Sequence, residues 1–283
     1  MKPAPPSRIS VAFNRLRRDT EVHRGWSHRK KLFREAFKRT LAAKNSKAGK
    51  QLLIVANGPS SESLSPQFVL RFISEGGEVM GLNWAHLNPA LQGIPLNLYL
   101  SADRRMVEES DKSYALRAYL KKQISLVAFV PEIRLRLWEN LIPEVTFIPF
   151  CRFYIKYLRL PWCGLNPTHP KRFTAQSGLH ALQMATWLGY ERILIIGFDN
   201  SYFREFSTSR DNTMVKSIAH AGEGVQTSVS RVDTATYLET QASLFRDYWL
   251  FSREPIYNLD PHSPTDAFLK VTLPSALGEA LNN

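Results

Sequence analysis

The sequence contains only two cysteines, Cys151 and Cys163, in 283 residues. So few cysteines exclude a disulfide framework, and their spacing is not that of a metal site, so we expect a reduced, cytoplasmic protein. Long apolar runs are also missing, because none reaches the roughly 18 residues needed to span a bilayer. The N-terminus shows no apolar signal-peptide core. These absences predict a protein in the cytoplasm, either free or peripheral at the inner membrane face.

Several familiar nucleotide and metal motifs are absent as well. The chain has no Walker A sequence and no Gly-x-Gly-x-x-Gly, which argues against nucleotide hydrolysis and dinucleotide redox chemistry. It also has no Asp-x-Asp pair, the local form of a carboxylate clamp that holds a metal on a nucleotide-sugar diphosphate. We therefore expect chemistry that needs neither a metal nor another cofactor.

Positive charge is abundant, but it is concentrated at one end of the chain. Residues 1–50 hold 15 Lys and Arg against 3 Asp and Glu, whereas the other 233 residues hold 22 of each. A neutral body argues against a nucleic-acid partner, since such proteins carry their basic patch on the binding domain. The basic residues instead define an N-terminal arm, residues 1–50, in front of a larger domain at 51–283.

The arm contains a basic amphipathic helix, predicted at residues 28–43. Leu32, Phe33, Phe37 and Leu41 recur at helical spacing with Lys and Arg around them. Such a helix can bind an anionic membrane surface, and residues 1–47 would then anchor the protein. It can equally dock on the body with its charges solvated, and the sequence leaves both alternatives open.

The body alternates apolar strands with amphipathic helices. Two nearly continuous apolar runs, 51–56 and 192–198, are typical of strands buried on both faces of a parallel sheet. The pattern predicts a doubly wound, mostly parallel, Rossmann-like α/β sheet with helices on both faces. Residues 200–232 are polar and without periodicity, which is typical of a lid-like segment near a site.

Polar residues follow the predicted strands where a ligand would bind such a sheet. The first strand ends in Asn57, Gly58, Pro59 and Ser60. Glycine permits close approach of a ligand, while the amide, hydroxyl and free backbone N–H groups can bind phosphate or ribose oxygens. The same residues also form an ordinary tight turn, so on their own they indicate either.

Other candidates follow later strands. Asn83 and Asp103 end the second and third strands, and the carboxylate of Asp103 is suited to ribose or an amine rather than phosphate. Ser177 and Gly178 open a helix whose N–H groups can hold an anion. Each of these residues could instead be a simple helix cap.

Three further residues could take part in chemistry beyond the strand at 192–198. Asp199 and Tyr202 follow that strand, and the phenol could donate a hydrogen bond to a leaving phosphate. His220 lies in the lid-like segment and titrates near neutral pH, as a general base requires. Each of the three could also belong to a solvated surface loop.

Taken together, these residues resemble the bacterial lipooligosaccharide sialyltransferases, glycosyltransferase family 42. In that family a first strand leads into Gly-Asn-Gly-Pro-Ser, a Thr-Ser-Gly opens a central helix, and the following strand ends in Gly-Ile-Asp near a tyrosine. The matching pieces here, in order over roughly residues 51–270, are Ala56 to Ser60, Asn83, Gln176 to Gly178, Trp187 to Tyr190 and Gly197 to Asp199.

The resemblance implies transfer of a sialic acid-like sugar from a CMP-activated donor to a glycan or glycolipid, without metal and with inversion. Asn57, Gly58, Ser60 and Asn83 would hold the nucleotide, and Ser177 with Gly178 would face its phosphate. Tyr202 would hydrogen-bond the departing phosphate, and His220 would deprotonate the acceptor hydroxyl.

The Gly-Pro-Ser and Gly-Phe-Asp elements also resemble the 6-hydroxymethylpterin diphosphokinase-like family. That alternative implies magnesium-dependent transfer of a diphosphate from ATP to an alcohol, which needs neutralisation of phosphate charge. A third alternative is a nucleotide-binding scaffold protein without catalysis.

Overall fold

The computed structural model describes residues 20–21, 24–108, 110–154, 165–173, 176–200, 206–208, 214–216, 230–231 and 234–273. Strands of the main sheet are β1 Gln51–Val55, β2 Glu78–Leu82, β3 Leu98–Leu100, β4 Val127–Pro131, β5 Thr146–Phe150, β6 Arg192–Ile196, β10 Ile256–Asn258 and β11 Leu269–Lys270. Helices are α1 Arg34–Ala42, α2 Pro66–Ser74, α3 Arg105–Glu108, α4 Ser110–Lys121, α5 Leu135–Leu141, α6 Ser177–Leu188 and α7 Thr234–Tyr248.

The eight strands form one sheet in the order β11–β10–β6–β1–β2–β3–β4–β5, and every neighbouring pair is parallel. The prediction of a doubly wound, Rossmann-like α/β sheet is therefore confirmed. From β1 the chain moves outward to β5 and then returns to the other side of β1 as β6. The carboxyl ends of β1 and β6 consequently flank the topological switch point, where ligands bind in sheets of this kind.

Both faces of the sheet are covered, which explains why its central strands lack polar alternation. Leu53 and Val55 of β1 face one apolar layer with α2, α4 and α5, whereas Leu52 and Ile54 face the other with α6 and α7. All four side chains are fully buried. A strand with two buried faces must be apolar at every position.

The helix boundaries follow local chemistry. Ser65 caps α2, its hydroxyl accepting the backbone N–H of Phe68 at 3.1 Å, and Pro66 occupies the first helical position. Helix α6 begins at Ser177, as predicted, and is capped at its C-terminus by Gly189, whose φ of 80° is the left-handed conformation that glycine adopts most readily.

The described part of the arm packs against the body. Residues 24–32 are helical, and α1 follows after a turn at Phe33. Helix α1 lies against β5, with the Thr40 hydroxyl donating to the Pro149 carbonyl at 2.6 Å and Trp187 Nε1 donating to the Thr40 carbonyl at 2.7 Å. Phe37 packs with Trp26 and Cys151 beneath it. Of the two alternatives for the arm, membrane binding or docking on the body, the described part of the arm is docked on the body.

The sequence pattern does not predict two elements in the C-terminal part of the chain. One is a small antiparallel sheet within the segment predicted to be lid-like, formed by β7 Phe206–Thr208, β8 Met214–Lys216 and β9 Ser230–Arg231. The other is strand β11. The division into an arm at 1–50 and a body with a lid-like segment at 200–232 stays a prediction.

Across the described ranges, no helix combines the length and apolarity that a membrane crossing requires.

Candidate functional site

The site begins where β1 and β6 end side by side. Just beyond the two strands, the backbone N–H of Gly58 donates to the carbonyl of Gly197 at 3.1 Å. Gly197 has a φ of 78°, and a side chain on it would lie 2.3 Å from the Ala56 carbonyl oxygen. Two glycines therefore let the two strand ends approach each other more closely than larger residues permit.

Ser60 and Asp199 join these strand ends across the switch point. The Asp199 carboxylate accepts the backbone N–H of Ser60 at 3.1 Å and its hydroxyl at 3.0 Å. The Ser60 hydroxyl in turn accepts the backbone N–H of Gly197 at 3.1 Å. The expectation of free N–H groups in the turn is thus wrong at Gly58 and Ser60, because both donate within the protein.

The carboxylate of Asp199 is costly to ionise at this position. Burial raises its pKa, the neighbouring carboxylate of Asp260 raises it further, and the hydrogen bonds from Ser60 only partly offset the effect. A buried acid with a raised pKa is suited to hydroxyl groups as partners. Its carboxylate, when ionised, would repel a phosphate.

Two asparagines connect β1, β2 and α6. Asn57 Nδ2 donates to the Leu82 carbonyl at 3.1 Å, so the turn after β1 is tied to the end of β2. Asn83 has a φ of 44°, a left-handed conformation that asparagine tolerates better than most residues. Its Nδ2 donates to the Ser177 hydroxyl at 2.8 Å, and its Oδ1 accepts the Ala102 N–H at 3.2 Å.

The start of α6 therefore lies at the carboxyl edge of β2. The first-turn amides of a helix have no intrahelical acceptor, and they carry the positive end of the helix dipole. A side chain at Gly178 would come within 2.8 Å of the Phe198 ring, so packing alone already explains this glycine. Ser177 is half-buried and turned toward Asn83.

Asp103 follows β3, but its carboxylate is already paired. It accepts from Arg105 Nη2 at 2.7 Å and Nε at 3.0 Å. Burial works against ionisation, yet the bonds from Arg105 hold the pKa of Asp103 below its usual range. The candidate is therefore an anion at neutral pH whose charge is matched by a neighbouring arginine.

Sequence reasoning missed a polar network beside this edge. Asn200 Nδ2 donates to the Phe198 carbonyl and to the Tyr248 hydroxyl, both at 2.9 Å, and Asn200 Oδ1 accepts from Gln176 Nε2 at 2.8 Å. The Tyr248 hydroxyl donates to Gln176 Oε1 at 3.0 Å. The position of Asn200 directly after Asp199 was the signal, but its side-chain partners lie far apart in the sequence, at the N-cap of α6 and at the end of α7.

The structure thus brings together Asn57, Gly58, Pro59, Ser60, Asn83, Ser177, Gly178 and Asp199 at one edge of the sheet, with Asp103 beside them. Tyr202 and His220 lie outside the described residues. Among the described residues no group of three or more His, Cys, Asp or Glu could hold a metal ion.

Fold and strand-end geometry define the class of this molecule as a Rossmann-like α/β protein with a polar edge at its switch point. No family model and no curated protein matches the chain. Among solved structures, the chain is similar to the MAf glycosyltransferase from Magnetospirillum magneticum AMB-1, with 15% sequence identity and a TM-score of 0.47. The match covers 81% of this chain and 34% of that one, so this chain spans about a third of that protein's length.

Proposed function

We propose that this protein is a metal-independent, inverting glycosyltransferase that moves a sialic acid-like sugar from a CMP-activated donor to a glycan or glycolipid acceptor. The observation that carries the proposal is the bond from Asn83 to Ser177, at 2.8 Å. It joins two elements, the end of β2 and the start of α6, that the sequence resemblance assigns to one nucleotide. The ties of Asn57 to Leu82 and of Ser60 to Asp199 support the same crevice.

Within this crevice the donor lies with its ribose toward Asp199 and Asp103 and its phosphate toward α6. Carboxylates accept from ribose hydroxyls, whereas the helix N-terminus at Ser177 favours an anion. This orientation differs from a phosphate cradled in the Asn57 to Ser60 turn, whose amides at 58 and 60 already donate to internal acceptors.

The reaction breaks the bond between the anomeric carbon and the phosphate oxygen and forms one to the acceptor oxygen. His220 takes the acceptor proton as general base, and Tyr202 hydrogen-bonds the departing phosphate. The leaving group is a stable phosphate, so positioning and these two groups suffice without a Lewis acid.

A nucleotide panel tests this proposal. CMP and CDP at one hundred times their dissociation constants should stabilise the protein by about 2.7 kcal/mol, which raises the melting temperature by roughly 5 °C. UDP, GDP and ATP at the same concentrations should have smaller effects, and magnesium should change none of them. Differential scanning fluorimetry provides the measurement. Stabilisation by ATP only with magnesium would favour the diphosphokinase alternative instead.

His220→Ala is the companion variant in the same panel. It should keep the stabilisation by CMP and lose turnover of CMP-sialic acid, since a general base contributes about 100- to 10,000-fold to the rate. Full turnover by the variant would exclude His220 as the base. Binding without turnover in the wild-type protein would favour the scaffold alternative.

We also propose that the arm binds an anionic membrane surface while docked on the body. The described part of the arm exposes the side chains of Leu32 and Leu41, 67% and 49% exposed, and also those of Lys31 and Arg34. Exposed apolar and basic groups in one segment suit the boundary between lipid headgroups and acyl chains. The positive charge of the arm would favour anionic lipids, so the protein would be held at the membrane surface on which glycolipid acceptors are assembled.

Vesicle sedimentation tests the arm. Replacing Lys31, Arg34 and Lys38 with glutamine should weaken binding to vesicles containing phosphatidylglycerol about 100-fold, at about 1 kcal/mol for each charge. The matched control replaces three exposed basic residues of the body, Lys122, Arg136 and Arg253, and should bind like wild type. Equal sedimentation of both triple variants would contradict this role of the arm.

A further inference from the structure

A buried cluster of titratable side chains lies behind the start of α6. Lys171 is fully buried, and its ammonium nitrogen contacts both ring nitrogens of His180, with 3.1 Å to Nε2 and a shorter contact to Nδ1. The same nitrogen lies 4.7 Å from the centre of the Phe150 ring and 5.4 Å from that of Phe173. Two aromatic faces and one imidazole therefore enclose a lysine that water does not reach.

Two acidic groups from neighbouring strand ends act on this lysine. Glu132 follows β4 and Cys151 follows β5, and both side chains are fully buried. One carboxylate oxygen of Glu132 accepts the Arg152 N–H at 2.9 Å, whereas the other has no hydrogen-bond partner among the described residues. An uncompensated carboxylate oxygen in the interior is costly unless a positive charge lies near it.

The cluster is joined directly to the first turn of α6. His180 lies three residues after Ser177, and its backbone N–H donates to the Gln176 carbonyl at 3.1 Å. Its ring packs on Phe150 at 4.5 Å between centres. The contact to Lys171 therefore fixes the helix turn whose leading amides face the crevice, and it holds a cation behind them.

The charge of Lys171 is finely balanced. Burial lowers the pKa of Lys171 to about 7, while Cys151 and Glu132 act to raise it and Arg152 to lower it. Burial also raises the pKa of Glu132, against which the positive charges of Lys171 and Arg29 act. An anion bound at the helix start would favour the protonated lysine. By linkage, the protonated lysine would then favour the anion.

We propose that Lys171 is a positioning residue for the donor: together with His180 it fixes the first turn of α6 and supplies positive charge behind the bound phosphate. The inference rests on the proposed function, because it assumes a nucleotide phosphate at that turn. Lys171 does not touch the donor. It acts through His180 and through its charge.

The test measures the affinity for the methyl phosphodiester of CMP by calorimetry between pH 6 and 8.5. This probe is chosen because a phosphodiester lacks the second ionisation near pH 6 that a phosphate monoester has. Wild-type affinity should fall about tenfold as the pH rises through 7. Lys171→Met should bind about tenfold more weakly at pH 6 and vary less than about twofold over the range. Lys122→Met, at an exposed site, should behave like wild type.

A second variant covers the case in which Lys171→Met does not fold. His180→Phe keeps a ring between Phe150 and Phe173 but removes both nitrogens, so the pH at which affinity falls should move below that of wild type. A wild-type pH dependence that persists in either folded variant would overturn this inference alone. Absence of any binding by wild type at every pH would overturn the proposed function, and this inference with it.

Discussion

Replacing Gly58 with alanine should destabilise the protein by at least about 3 kcal/mol and abolish nucleotide stabilisation. The added methyl carbon would lie 1.9 Å from Asp199 Oδ2 and 2.5 Å from the Gly197 carbonyl oxygen. The carboxylate alone could rotate away, but it would then lose its bonds from Ser60. The backbone carbonyl cannot move without separating the ends of β1 and β6.

Gly25→Ala is the matched control, because a methyl group there meets no atom within 4 Å. Chemical unfolding of both variants, monitored by circular dichroism, gives the free energy of unfolding of each. The control should be as stable as wild type or slightly more stable, since alanine favours a helix. Equal stability of Gly58→Ala and wild type would show that the strand ends do not approach as closely as described.

Replacing Glu78 with glutamine should cost about 3 kcal/mol at neutral pH. Glu78 opens β2, and its buried carboxylate accepts from Lys47 at 2.8 Å, from Lys50 at 2.7 Å and from the Tyr190 hydroxyl. One side chain thus ties the end of the arm and the turn before β6 to the sheet. Glutamine removes the negative charge and leaves two ammonium groups without their counterion.

The effect of this substitution should depend on pH. Burial opposes ionisation, but the bonds from Lys47, Lys50 and Tyr190 outweigh it and keep the pKa of Glu78 below its ordinary value of 4.5. A carboxyl with a lowered pKa contributes stability above its unfolded pKa and loses it as the pH falls through the folded one. Urea unfolding should therefore show the difference between wild type and Glu78→Gln shrinking below pH 4.5.

Glu75→Gln is the control for this series. Glu75 pairs with Arg71 on the surface, where both side chains are largely in water, so its loss should cost less than about 1 kcal/mol. An equal cost for both substitutions would contradict a special role for the buried carboxylate.

The central sheet could be predicted because its information is local. Strands β1 and β6 are continuous apolar runs, and the Ser65 cap and the Gly189 stop are short-range signals. Strand β11 has two exposed residues and no such run, so no local pattern marks it. The small sheet of β7 to β9 was missed for the same reason, because its strands are short and lie in a polar segment.

The candidate site could be predicted in position but not in its bonding. Strand ends of a parallel sheet meet at one edge, which brought Asn57, Asn83 and Ser177 together in the prediction. The bond from Ser60 to Asp199 joins residues 139 positions apart and reverses the expected role of the turn amides. No sequence pattern signals that the distant carboxylate of Asp199 accepts the Ser60 amide, or that the Gly197 carbonyl accepts the Gly58 amide. The contact between Lys171 and His180 could not be predicted either, because nothing in the sequence distinguishes a buried pair from two ordinary polar residues.

The docking of α1 on β5 has a consequence for how the chain is made. Thr40 and Pro149 are 109 residues apart, so at about 5–20 residues per second the ribosome needs roughly 5–20 s to deliver the partner of the helix. Throughout that interval Trp26 and Phe37 can pack only on each other, because Cys151 and Phe153, which complete their cluster, are not yet made.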